Sequence, residues 1–131
     1  SKVTNMVTMF MNASLFNNPI WNWNTSNVTD MNSMFFSAIK FDQPIWNWNT
    51  TKVTNMSSLF NWASNFNQDI SRWSTSTVTN MTTMFFNAQK FNQDLSKYCV
   101  VNIKSIPNLF DNYTDSWIKT NRQPIWWTCP Q

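Results

Sequence analysis

The chain has 131 residues and a net charge of +3, with 11 % charged, 42 % hydrophobic and 17 % aromatic residues, enough apolar material for the core of a single domain. It contains no His and no Gly, and every acid is Asp; this removes the commonest general base and metal ligand, and it excludes Gly-rich phosphate loops and nucleophile elbows. The Lys and Arg are scattered without run or stripe, so no nucleic-acid partner is indicated, and no apolar run approaches the roughly 18 residues of a membrane span.

The chain opens on SKVTNM, which matches TKVTNM at Thr51–Met56 and reads as the tail of a strand. It starts without Met, in mid-pattern, and no signal peptide is visible. Two expectations fit such an uncapped start: a piece of a longer chain, or an open end that docks on something. The next element, PIWNWNTS at 19–26, is short and rich in aromatic and β-branched residues, and the pattern predicts a strand. On that register Trp23 and Thr25 face inward, while Asn22, Asn24 and Ser26 face out. In VTDMNSMFFSA, at 28–38, Met31, Met34, Phe35 and Ala38 fall at i, i+3, i+4 and i+7, which predicts a short helix. Thr29 or Asp30 is its expected N-cap and Val28 its staple. Turns without Gly fall to Asn and Asp, which tolerate left-handed backbone; there are 21 Asn.

This unit then recurs at a period of 25. Val3, Val28, Val53, Val78 and Ile103 form one column; Phe10, Phe35, Phe60, Phe85 and Phe110 form another; Trp23, Trp48, Trp73 and Tyr98 form a third. The repeats are 3–27, 28–52, 53–77 and 78–102, followed by a degenerate capping repeat at 103–131, all within one domain. A period of this length predicts stacked repeats. Strand–helix alternation predicts a short right-handed α/β solenoid of leucine-rich-repeat type, with one strand and one helix per repeat and a parallel sheet.

VTNMSSLFNWASNFNQDISRW (Val53–Trp73) and VTNMTTMFFNAQKFNQDL (Val78–Leu95) resemble the BspA-like, leucine-rich-repeat-related surface-protein repeats, over roughly residues 1–100. The resemblance implies a solenoid without catalysis, often used in attachment at the surfaces of bacteria, mycoplasmas and some protists. Repeats one and two depart from it, carrying Pro-Ile-Trp where family copies usually carry Asp-Ile-Ser.

At the C-terminus, RQPIWWTCPQ restores the strand motif five residues late, after DNYTDSWIKTN. Allowing for that shift, Cys99 and Cys129, the only cysteines, share a column in adjacent units. Neighbouring strands lie about 4.8 Å apart, and disulfide Cα separations are about 4.4–6.8 Å, so a Cys99–Cys129 disulfide is expected. Such a bond implies an oxidising compartment: extracellular, or a cell or virion surface. Seven N-x-S/T sequons are compatible with this location. Asn12, Asn24, Asn27, Asn49 and Asn112 are the candidate glycosylation sites, whereas Asn55 and Asn80 are expected to be caps.

Asp69 and Asp94 share a column, but two equivalent exposed Asp read as turn residues rather than a hydrolytic pair. No catalytic residue, metal site or cofactor is indicated. Trp21, Asn22, Asn24, Trp46, Asn47, Asn49, Arg72 and Trp126 form the candidate binding surface, since exposed rings beside amides suit a glycan or protein ligand. Met11, Phe36, Trp62 and Phe86 form an apolar row on the outer face, the candidate subunit contact. The expected function is a non-enzymatic surface recognition or adhesion module for protein or glycan. The alternative is a structural subunit of an extracellular filament, coat or virion surface, in which copies of the chain assemble through the uncapped end and the exposed aromatics. Ice binding by the Thr25, Thr50, Thr75 ladder is a minor alternative.

Overall fold

The computed structural model describes residues 2–114, 117 and 120–131. Successive repeats lie one on another as layers. The Thr29 N–H donates to the Thr4 carbonyl (2.8 Å), Thr54 to Thr29 (2.9 Å) and Thr79 to Thr54 (2.8 Å). The same three hydroxyls donate to the same three carbonyls, each at 3.2 Å. Each of these junctions holds a single parallel bridge, between Asn5 and Asp30, Asp30 and Asn55, and Asn55 and Asn80.

The right-handed α/β solenoid of leucine-rich-repeat type is not what the chain forms. Regular helix and strand are essentially lacking among the described residues, and with them go the parallel sheet, the helix N-cap and its staple. The segment expected to be helical is a run of tight turns. Its N–H groups alternate between two destinations. Met9, Met11 and Ala13 donate back three residues, to Met6, Thr8 and Phe10, whereas Met6, Thr8, Phe10 and Asn12 donate across to Asp30, Asn32, Met34 and Phe36 of the next layer. Every fourth residue is left-handed: Thr8 and Asn12, Ser33 and Ser37, Ser58 and Trp62, Thr83 and Asn87, with φ between 53° and 63°.

Three physical reasons favour this over a helix. A helix of two turns is marginal by itself. Ser, Thr, Asn and Asp compete for backbone partners and favour turns. A stacked copy supplies carbonyls on the neighbouring layer, which a lone helix lacks. The expected cap residue shows the competition directly, since the Asp30 carboxylate accepts from the Asn32 N–H at 2.8 Å and closes a turn. Asn5, Asn55 and Asn80 do the same for Val7, Ser57 and Thr82.

The expected strand is bent twice in each layer. Trp23 N–H donates to Ile20 and Val28 N–H to Thr25, both three residues back, and the pattern recurs at Trp48 and Val53 and at Trp73 and Val78. Each bend takes the chain out of the extended geometry a ladder needs.

Side chains at the inward columns are buried from the second layer on and half-buried at Phe10, Phe16 and Trp23 of the first. Phe10, Phe35, Phe60 and Phe85 stack with centroids 5.6–5.7 Å apart, and Phe16, Phe41, Phe66 and Phe91 with centroids 5.8–5.9 Å apart. Within a layer the two Phe approach to 3.9–4.1 Å. Trp23, Trp48 and Trp73 form a third stack at 6.4 Å. Their indoles also cross layers: Trp48 Nε1 donates to Ile20 O, Trp73 Nε1 to Ile45 O, and the Tyr98 hydroxyl to Ile70 O. Asn17, Asp42 and Asn67 build a polar ladder, each accepting from the backbone N–H one repeat on at 2.9 Å. Gln43, Gln68 and Gln93 clamp it from beside.

The last segment slips. Ser58 donates to Thr82, 24 residues on, but Thr83 donates to Asn108, 25 residues on. Trp117 is fully buried across the ends of the Phe stacks, edge-on to Phe85 (5.2 Å) and Phe91 (4.9 Å). Cys99 and Cys129 are joined by a disulfide. Val100 N–H donates to Thr128 O beside it.

Candidate functional site

At one corner of every layer the chain makes the tight turn from Ile20 to Trp23 and its counterparts. The two central residues of that turn point outward. They are Trp21 and Asn22, then Trp46 and Asn47, then Ser71 and Arg72, then Ser96 and Lys97. The residue before the turn changes in step: Pro19, Pro44, Asp69, Asp94. In layers three and four the Asp carboxylate accepts from the Ser71 or Ser96 N–H at 2.9 Å and holds the turn. Layers one and two have no such acceptor; there Pro fixes φ at the turn's start and the freed position carries an indole. Trp21 and Trp46 are each 53 % exposed.

The two designs meet between layers two and three. Trp46 of the second layer and Asp69 and Arg72 of the third line a cavity of about 270 Å³. Hydrogen bonds from Ser71, hydroxyl and backbone, hold the Asp69 carboxyl below its usual range, and the Arg72 charge adds to the effect. One layer up, Trp21 faces Asn47, whose Nδ2 donates to the Trp21 carbonyl at 2.8 Å. One layer down, the ring is replaced by Ser71.

The other expected site residues are placed as follows. Asn22 is exposed. Asn24 and Asn49 are exposed, but their side-chain oxygens accept from the backbone and hydroxyl of Ser26 and Thr51, so they act as turn closers. Trp126 is half-buried against the core, edge-on to Phe110 at 5.0 Å; Trp127 beside it is exposed. Met11 and Trp62 are exposed, whereas Phe36 and Phe86 are half-buried. Trp62, Phe86 and Tyr113 form one continuous ridge, with centroids 6.4 and 5.5 Å apart. Tyr113 lies outside the row that the period of 25 assigns, which puts Asp111 in the column of Phe86. Of the sequons, Asn12 and Asn112 are exposed, and the Asn27 amide oxygen accepts from Lys52 Nζ at 2.8 Å. Asn55 and Asn80 hold turns. Thr25, Thr50 and Thr75 are buried, their hydroxyls donating to Asn49, Ser74 and Cys99 carbonyls.

A second opening, of about 400 Å³, lies on the outer face of the first layer between Val3, Met6, Met9 and Trp23. No group of three or more potential metal ligands occurs among the described residues, and no described helix is long and apolar enough to cross a membrane.

These features define a glycine-free repeat protein whose layers are joined by backbone hydrogen bonds and aromatic columns and closed by a disulfide. The chain belongs to the family described as "Mycoplasma protein of unknown function, DUF285", whose model matches residues 1–71 and again 45–120. No curated protein and no solved structure matches the chain.

Proposed function

We propose that this chain is a non-enzymatic recognition module at a cell or virion surface, engaging protein or glycan through the rim that carries Trp21 and Trp46. The observation that carries this reading is the half-exposure of both rings. Each sits where other layers manage with Ser, so neither is needed to hold its turn. Resemblance of the repeats to BspA-like surface proteins supports the same reading. The Cys99–Cys129 bond supports an oxidising location.

A second reading, assembly of copies into a filament or coat, draws on the ridge of Trp62, Phe86 and Tyr113, an aligned apolar row of the kind that marks contact surfaces.

One experiment separates the two. Retention of the purified chain on cell surfaces is measured beside its sedimentation behaviour. The recognition reading expects a monomer whose retention falls about tenfold or more in Trp21→Ala/Trp46→Ala, as removal of exposed aromatic anchors does. Unchanged retention in the double variant sinks it, and polymers that dissociate in Trp62→Ser favour assembly.

A further inference from the structure

We propose that the junction of the second and third layers is a binding site for a single neutral pyranose ring, a reading that rests on the recognition function above and names its ligand class. The site is composite. Its indole belongs to the Pro-Ile-Trp form of the repeat and its charged pair to the Asp-Ile-Ser form, so the two occur side by side where one form gives way to the other. Trp21 lacks the charged pair below it, and Ser71 lacks the ring above Asp94 and Lys97.

The three groups do complementary work. The exposed indole face of Trp46 offers an apolar platform for the C–H face of a sugar, at little desolvation cost because the ring is already half in water. The Asp69 carboxylate accepts from the Ser71 N–H and the Ser71 hydroxyl; of its roughly four lone-pair sites the others are left for sugar hydroxyls. Arg72 supplies planar donors to hydroxyl oxygens. One negative and one positive side chain face the same cavity, so no net charge favours an anionic ligand. At about 270 Å³ the cavity lies just under the roughly 300 Å³ where pockets for drug-sized ligands begin, which suits one ring and not a longer segment. Affinity for one ring is accordingly weak, and useful avidity comes from several chains on one surface.

The test is ligand-observed saturation-transfer NMR on the intact, oxidised chain. The probes are methyl glucoside, galactoside, mannoside and N-acetylglucosaminide, with methyl glucuronide and inorganic phosphate as anionic competitors. At least one neutral pyranoside saturates in about the millimolar range. Trp46→Ala weakens it about tenfold or more, and Met11→Ala, at an exposed side chain outside the rim, leaves it within about twofold. Asp69→Asn weakens it too without losing the turn, because Asn5, Asn55 and Asn80, at another corner of the layer, close turns of the same kind by accepting from the N–H two residues on. Trp46 lies outside the buried core cluster and is half in water, so its replacement leaves the fold intact; Trp46→Phe, which keeps an aromatic face, retains part of the binding. The proposal is overturned if no neutral pyranoside saturates, if an anionic probe binds more tightly, or if Trp46→Ala changes nothing. Retention that depends on Trp21 and Trp46 yet survives enzymatic deglycosylation of the target surface leaves the recognition function standing and removes the sugar.

Discussion

Asn61 shows how a single position departs from its column. Its counterparts are Met11, Phe36 and Phe86. Asn61 is buried, and its Oδ1 has no hydrogen-bond partner. An unsatisfied buried acceptor costs about 1–3 kcal/mol. Asn61→Met restores the apolar column and should raise stability by about 1 kcal/mol or more in urea denaturation; a lower midpoint would count against this account. Asp111 is a second such residue. Burial pushes its carboxyl above the usual range, against weaker opposing hydrogen bonds from Gln123 and the backbone. A raised folded-state pKa in an acid favours the protonated form. The stabilising contribution is therefore fully present below the unfolded pKa and lost as pH rises through the folded one. Asp111→Asn should thus raise the melting temperature at neutral pH, with the gain shrinking as pH is lowered into the carboxylate range. Melting curves at neutral and acid pH check both parts. Asp69 and Asp94 have the opposite sign, since hydrogen bonds from Ser71 and Ser96 hold them low, and they stabilise the fold above the carboxylate range.

At the scale of the element, the apolar spacing was legible and the backbone was not. Met31, Met34, Phe35 and Ala38 are all fully buried, as one face of a helix would be. A chain of turns with a left-handed residue every fourth position places the same four side chains inward. The spacing therefore identifies the buried face without identifying the backbone that presents it. What tips the balance is the destination of the N–H groups, half of which leave the segment for the next layer. No residue pattern within one repeat states this. The left-handed positions do leave a trace, because they are filled mostly by Ser, Thr and Asn. Ser33, at φ 54°, gives the test. Glycine carries no strain in that region, whereas in a helix interior it costs about 1 kcal/mol relative to Ala. Ser33→Gly should therefore be at least as stable as Ser33→Ala in urea denaturation. A Gly variant less stable than the Ala variant by about 1 kcal/mol would count against the left-handed turn.

At the scale of the whole molecule, each layer touches only its neighbours, so stability spreads along the stack from junction to junction. The last junction is the irregular one. There Trp117 closes the Phe columns, Arg122 Nη1 donates to the Asn92 carbonyl at 2.9 Å, and the disulfide spans 30 residues. A loop of that length gives about 3–4 kcal/mol on chain-entropy grounds. Cys99→Ser/Cys129→Ser should lose about that much, and limited proteolysis should cut first within 103–131. First cleavage in the earlier layers would show that the bond is not what secures this end.

The sequence by itself determined the period, the inward columns of Phe, Trp, Val and Ala, and the outward rings of Trp21 and Trp46, because burial follows side-chain chemistry repeated in register. The tertiary structure alone decided that the layers are built from turns rather than helix and strand, that Trp126 folds onto Phe110, and that Tyr113 joins the ridge. It also decided which charged pair lies beside Trp46. Each of these depends on what the neighbouring layer offers, a carbonyl, a ring or an open space, and one repeat read alone contains no record of its neighbour.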